Sequence, residues 1–442
     1  MGNALRCHTP NSYQSKQYKM QKTNSRWSFQ QILIFNIAIF TFLTVRLNAQ
    51  KVHERDLGDL FSDKDTATVT GPKIGKLYLP LLPIAGYTPS TGIMIGAGIA
   101  GSVLLDSASH THISSGLANI LFTAKHQINL IFRHNVYLSH DTWIFQGDWR
   151  LMFFKQPTYG LGIQDIPAVF ALNGIGLADE TGAQPMGFNY VRIYESVYRR
   201  LNKRFYAGGG VAIDYHYKII DERFSLDPSS QFITSHYYYC TINEFPKDKY
   251  STIGLTGKIL YDSRDNSINA YRGTYVDFGF RVNGTFLGST KNSSMLLVEA
   301  RKYQKLGSGN NLIAFWLIGN FKLSGSVPYL ALPAIGWDTY NRSGRGYLQG
   351  RFRGENMVYA ESEFRYKISS SGLIGGVLFL NAVTADNKYM RTPQKLFGDF
   401  AFGYGAGLRI KMNKETRTNI CVDIGLGQNN SGGIYFGIQE AF

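Results

Sequence analysis

From residue 76 to the C-terminus, apolar and polar side chains alternate along the chain. In residues 126–138, Ile128, Leu130, Phe132, Val136 and Leu138 fall on one face and Gln127, Asn129, Arg133, Asn135 and Tyr137 on the other. Residues 274–283 set Val276, Phe278, Phe280 and Val282 against Tyr275, Asp277, Gly279, Arg281 and Asn283. Leu408 and Ile410 oppose Gly405, Gly407, Arg409 and Lys411, and Ile420, Val422, Ile424 and Leu426 oppose Asn419, Cys421, Asp423 and Gly425. A period of two puts alternate residues on opposite faces of a strand. Apolar groups on one face and charges on the other suit a strand between lipid and a polar lumen. One such strand says little; its repetition along the chain is the signal.

The pattern predicts sixteen strands, at 76–87, 91–105, 112–124, 126–138, 141–154, 186–201, 203–220, 251–263, 273–287, 292–306, 311–325, 353–367, 373–384, 397–411, 417–428 and 432–442. An even number is what a single-chain bacterial barrel uses, and lipid leaves no free strand edge satisfied, so the sheet must close. The expected fold is therefore all-β, a closed sixteen-stranded antiparallel transmembrane β-barrel over residues 76–442. The long connections, 155–185, 221–250, 326–352 and 385–396, all join odd to even strands. With both termini periplasmic, all four face outward, as long outer loops and short inner turns require.

Composition fits this reading. The 442 residues include 47 Gly, 14% are aromatic and only 17% are charged. No run of eighteen apolar residues follows the N-terminal region, so no transmembrane helix is expected there. Residues 1–50 read as an extension plus a cleaved secretory signal. Lys22 and Arg26 precede an apolar core, Ile32 to Val45, and a small residue, Ala49, marks the cut. Met20 is an alternative start. A membrane anchor helix is the other reading, and the apolar core is short for it. Residues 51–75 form a short polar lead. The net charge of +15 is assigned to a polar lumen and basic loops, because no nucleic-acid-binding motif accompanies it.

One stretch stands out. After Tyr340 the chain reads as a loop rich in Gly, Arg and Asn, then as a strand. On that strand Tyr359, Glu361, Glu363, Arg365 and Lys367 share a face, opposite Val358, Ala360, Ser362, Phe364 and Tyr366. The loop carries Arg345-Gly346-Tyr347 and falls between strands eleven and twelve. This resembles the Arg-Gly-aromatic motif in the sixth extracellular loop of the BamA/TamA-like outer-membrane assembly superfamily. The resemblance covers residues 76 to 442. It implies that the loop folds back into the barrel and that Arg345 is held on the inner wall. Glu361 and Glu363 are candidate lumen partners for it. Where the family has Phe-x-Asp-x-Gly on the following strand, this chain has Phe379-Leu380-Asn381-Ala382-Val383, with Asn in place of Asp and Val in place of Gly. Asn381 can hydrogen-bond the arginine but supplies no charge, which moves the charge pairing toward the glutamates. The alternative is that Arg345 is a solvated loop residue. The run Tyr261 to Asn266, with Gly273, resembles a second family signature. It reads equally as an Asp/Asn-rich turn that caps its own backbone.

The last strand ends on Phe442. Ile434, Phe436, Ile438 and Phe442 are expected to share the lipid face, with Glu440 interrupting it near the interface. Phe436, Ile438 and Phe442 look like the C-terminal signal by which barrels are recognised for insertion.

Little in the sequence supports catalysis. His126, His134, His140 and His216 are scattered, and His134 faces lipid or the interface. Tyr237 to Tyr239 read as an interfacial or loop cluster. Cys240 and Cys421 are isolated and form no disulfide framework or zinc site. No catalytic, cofactor or metal residue is assigned. The resemblance implies outer-membrane protein insertion, assembly or translocation. The expected partners are outer-membrane lipid and client outer-membrane proteins or a separate periplasmic accessory protein. The alternative is a passive pore or a lipid-interacting barrel.

Overall fold

The computed structural model describes residues 54–60, 73–88, 91–107, 111–163, 182–229, 231–307, 309–389 and 393–442. The expected signal segment, most of the remaining lead and the middle of the 155–185 connection lie outside the described residues. Among the described residues, sixteen strands run in chain order. They are β1 (Leu81–Thr88), β2 (Gly92–Val103), β3 (Ser114–Thr123), β4 (Ile128–Tyr137), β5 (Trp143–Thr158) and β6 (Gln184–Arg200). Next come β7 (Phe205–Asp221), β8 (Lys249–Asp262), β9 (Gly273–Asn283), β10 (Ser293–Lys305) and β11 (Leu312–Gly325). The set ends with β12 (Asn356–Lys367), β13 (Ile374–Ala385), β14 (Ala401–Asn413), β15 (Thr418–Gly427) and β16 (Gly432–Ile438).

Each strand pairs antiparallel with its chain neighbour, in the order β1 to β16 without a crossover. This is the expected sixteen-stranded barrel. The first strand is shorter than predicted. Tyr78 still bridges Ser102, but Pro80 offers no N–H, and the continuous ladder starts at Leu81. The outer wall is apolar and exposed, with Phe132, Trp149, Phe278, Phe280, Phe315, Leu378 and Ile424 among its side chains. A face this apolar suits lipid, not water. The inner wall carries the charges: Arg192, Asp214, Arg281, Glu361, Glu363, Arg409 and Asp423 are all buried.

β16 lies beside β1, yet among the described residues no hydrogen-bonded ladder joins them. At the rim carrying the short turns, the Tyr78 hydroxyl donates to Glu415 in the β14–β15 turn, across this seam.

The chain end corrects one expectation. Phe436 is 45% exposed on the outer face, but Phe442 is 5% exposed and stacks on Trp316 inside the barrel, with ring centroids 5.1 Å apart. Gln439 adopts φ 71°, which turns residues 439–442 inward. Two contacts hold them there. Arg365 Nη2 donates to the Phe442 carbonyl at 3.1 Å, and Glu440 sits on Arg409 at 2.7 Å. Glu440 is therefore a lumen carboxylate rather than an interruption of the lipid face. Phe442 does not share a face with Ile434, Phe436 and Ile438.

At the opposite rim the long connections pack together. Residues 235–242, expected as loop, form helix α1 (Ser235–Ile242), with the Thr234 side chain accepting from Tyr237 N at 3.2 Å. Such side-chain capping satisfies a free N–H of the first turn. Tyr239 is buried and donates to the Val327 carbonyl at 2.9 Å. Tyr329, Leu330, Leu332, Phe188 and Met186 complete the apolar cluster beneath this rim. Tyr237 stacks on Phe224 at 3.9 Å, so the tyrosine run is a packing device between loops.

Candidate functional site

The β11–β12 connection, residues 326–355, does not stay at the rim. It enters the lumen and touches opposite walls. Its own residues shape it first. The Asp338 carboxylate accepts from the backbone of Tyr340 (3.0 Å), Arg342 (3.2 Å) and Ser343 (2.9 Å), winding 338–343 into a tight turn. Short side chains commonly organise turns in this way. Arg353 Nη1 staples the base of the loop by donating to the carbonyls of Tyr329 (2.9 Å), Leu330 (3.0 Å) and Leu332 (3.2 Å). On one wall, Arg150 of β5 donates to the Asp338 carbonyl at 2.7 Å and Arg192 of β6 to the Trp337 carbonyl at 3.0 Å.

The other end of the loop presents Arg345 to β12, β13 and β15. Arg345 is 1% exposed. Its Nη2 donates to both Glu361 and Glu363, and its Nη1 pairs with Asp423 at 2.7 Å. The register explains the convergence. Glu361 lies opposite Asn381 and Glu363 opposite Phe379, so all four side chains point inward together. The Phe379 ring lies under the guanidinium, 3.8 Å from its carbon, a cation–π contact. Asn381 donates to the backbone carbonyl of Arg345 at 2.9 Å, so it grips the main chain rather than the guanidinium.

The cage extends outward. Arg365 pairs with Glu363 at 2.6 Å, and Arg409 pairs with Asp423 at 2.5 Å. Three guanidiniums and four carboxylates thus form one buried network, Glu440 included. Charges this deep persist only when paired and hydrogen-bonded.

A floor of glycines brings the loop this close. A Cβ on Gly425 would lie 2.6 Å from Gly346 N, and one on Gly427 would lie 2.7 Å from Gly346 O. A Cβ on Gly403 would lie 2.7 Å from the Arg345 carbonyl oxygen. Gly346 itself has φ 104° and lies against the Leu426 carbonyl, a conformation and an approach that a side chain disfavours. Tyr347 reaches over this floor, donating to the Phe402 carbonyl at 2.5 Å. Tyr435 of β16 donates to the Tyr347 carbonyl at 3.1 Å and accepts from Gly346 N at 2.9 Å. The loop therefore also holds one strand of the seam.

Of the residues singled out from sequence, Arg345, Gly346, Tyr347, Glu361, Glu363 and Asn381 converge here. Phe436 and Ile438 lie on the barrel wall, away from it. Asp423 was not singled out as a partner, although the alternation had already placed it on the lumen face of β15. In the run 261–266, Arg264 pairs with Asp262 at 2.7 Å, and Asn266 Oδ1 accepts from Ile268 N and Asn269 N at 2.8 Å each. It is a self-capping turn.

Sequence reasoning also missed a Cys–His–Asp arrangement at the loop rim. His236 Nδ1 lies 2.7 Å from Asp221, and His236 Nε2 lies 3.4 Å from Cys240 Sγ and 3.2 Å from the Tyr250 hydroxyl. The two residues one helical turn apart on α1 were the available signal. Cys240 and His236 are fully buried. Burial pushes the Cys240 thiol up to about 12, so it stays protonated at neutral pH and is a core group rather than a nucleophile. In the folded protein at pH 8, maleimide should leave Cys240 unlabelled while the denatured chain labels fully, as read by peptide mapping. Rapid labelling of the folded protein would contradict this.

Among solved structures, the chain is similar to a BamA from Haemophilus ducreyi lacking POTRA domains 1–3, at 13% identity and TM-score 0.49, over 83% of this chain and 74% of that one. It is similar to CdiB from Acinetobacter baumannii at 11% identity and TM-score 0.48, over 82% of this chain and 59% of that one. A comparison with curated proteins found no match. Residues 180–442, more than half of the chain, match the Omp85 superfamily domain. A sixteen-stranded barrel with an arginine-locked loop in its lumen is thus the setting of that match, and the chain belongs to the Omp85 superfamily.

Proposed function

We propose that this barrel inserts, assembles or translocates proteins at the bacterial outer membrane. The short-turn rim would face the periplasm and the long-loop rim the cell exterior. The observation that carries the reading is the seam. Among the described residues, β1 and β16 are neighbours without a ladder between them. Unpaired N–H and C=O groups along a strand edge are a template for another strand, and lipid cannot satisfy them. An incoming client strand can add to such an edge. The locked loop bears on the same place, because Tyr435 of β16 is tied to Gly346 and Tyr347. The remaining C-terminal side chains, Phe436 and Ile438 on the wall and Phe442 within, would serve this chain's own recognition during insertion.

The experiment is depletion of the protein in its host, with the outer-membrane levels of other barrels measured. A second arm carries a disulfide joining β1 to β16. The levels of one or more client barrels, or export of a client, should fall on depletion. The sealed variant should fail to restore them until reductant is added. Unchanged barrels and export together with steady conductance of the purified protein in planar bilayers would establish a passive pore instead.

A further inference from the structure

The structure points to a peptide dock at the short-turn rim: we propose that Lys367, Lys411, Lys414, Asn310 and the Ser371 carbonyl bind an acidic polypeptide segment in trans, and that the chain's own lead occupies the dock until displaced. This names a partner class for the periplasmic face, and it rests on the reading of this rim as the side from which polypeptides arrive.

The lead shows what the dock accepts. Residues 54–60 lie across three successive turns of the rim. Glu54 pairs with Lys411 at 3.1 Å and with Lys367 at 3.8 Å, and it also accepts from Asn310 in the β10–β11 turn. Arg55 N donates to the Ser371 carbonyl in the β12–β13 turn at 3.0 Å. Asp56 accepts from Lys414 N at 2.9 Å, and Asp59 takes the Lys414 ammonium at 2.8 Å. Carboxylates at positions i, i+2 and i+5 are thus each met by a separate group. The Ser371 carbonyl needs an N–H donor, which a peptide backbone has and a phosphate lacks. The dock therefore reads main chain and charge together.

The hold is also of the displaceable kind. No residue in the turn Leu57–Leu60 is buried, and Leu60 is exposed, so among the described residues no apolar anchor secures this turn. The Lys411 and Lys414 side chains are only 6% and 9% exposed, so a displacing segment must supply carboxylates in the same places. The lead's advantage is that it is covalently tethered to the barrel, which raises its effective concentration over that of a free segment. A free acidic segment must outcompete that, and removing the lead's charges removes the competitor.

The test is a titration of a fluorescein-labelled peptide with the sequence of residues 53–60 into the purified full-length barrel in detergent, read by anisotropy. Three barrels are compared: the natural chain, a chain with Glu54→Gln, Asp56→Asn and Asp59→Asn, and that chain with Lys411→Gln and Lys414→Gln added. Gel mobility before and after heating checks that each is folded. The lead-neutralised barrel should bind the peptide at least tenfold more tightly than the natural chain. Binding should fall at least tenfold when the lysines are replaced, or when the peptide carries Gln and Asn instead of its acids. Equal binding by the natural and lead-neutralised chains would overturn the proposal. So would equal binding of the neutral peptide, or displacement of the peptide by inorganic phosphate at equal charge. Because purified protein is used, a negative titration removes the dock alone. A negative depletion experiment removes the assembly reading and leaves the dock standing.

Discussion

Arg345→Ala should lower barrel stability by about 3–5 kcal/mol, the cost of stripping one partner from a buried ion pair. The expected loss is large because three carboxylates depend on the same guanidinium. Glu361, Glu363 and Asp423 converge on Arg345. Without it they face one another with only Arg365 and Arg409 for compensation. The Phe379 ring loses its cation, and Asn381 loses the reason for a fixed main-chain carbonyl at 2.9 Å. Arg345→Lys should recover only part of the loss, since one ammonium cannot fork between Nη1 and Nη2 partners. Arg342→Ala is the control. Its side chain makes no ion pair or hydrogen bond among the described residues; it lies against Gly437 of β16 and acts on Asp423 only through space, so its effect should be well below that of Arg345→Ala. Gel mobility against temperature, with protease sensitivity of the 338–350 segment, separates the three variants. If Arg342→Ala and Arg345→Ala behave alike, the arginine cage does not hold the loop.

Gly425→Val should release the same loop without touching a charge. The new Cβ would sit 2.6 Å from Gly346 N and 3.0 Å from the Arg345 carbonyl carbon, and both are backbone atoms that cannot swing aside. Overfilling a well-packed contact costs about 1–3 kcal/mol by itself. Here the loop must also lift off β15, which pulls Arg345 out of its cage. Gly257→Val provides the comparison, because a Cβ there meets nothing within 4 Å. The expected pattern is a loop that proteases cut in Gly425→Val and spare in Gly257→Val. Equal protection in both would mean that the glycine floor does not set the loop's depth.

Much of the fold could be read directly from alternation. Period two is the geometry of the strand itself, so Phe278 and Phe280 against Asp277 and Arg281 mark the outer and inner walls. The same alternation placed Glu361 and Glu363 in the lumen, and the Arg-Gly-Tyr resemblance supplied Arg345 to meet them. What stayed hidden depended on the third dimension. Asp423 faces the lumen like other residues of β15, and nothing local says that a loop seventy-eight positions earlier reaches it. Gly403, Gly425 and Gly427 look like any small lumen residues until Arg345-Gly346-Tyr347 lies on them. Phe442 extends the alternation of β16 on paper. Its inward turn rests on the backbone of Gln439 and on a pocket made by Trp316 and Arg365, which come from distant strands. Helix α1 has eight residues, too short to show a helical period.

The central claim is that the cage around Arg345 and the glycine floor are two halves of one lock on one loop. A double-mutant cycle tests it most directly. Unfolding stability is measured for the natural chain, Arg345→Ala, Gly425→Val and the double variant. If both substitutions free the same loop, the double variant should be no less stable than the worse single one. Independent sites add to within about 0.5 kcal/mol, so a double variant whose loss equals the sum of the two single losses would contradict the account.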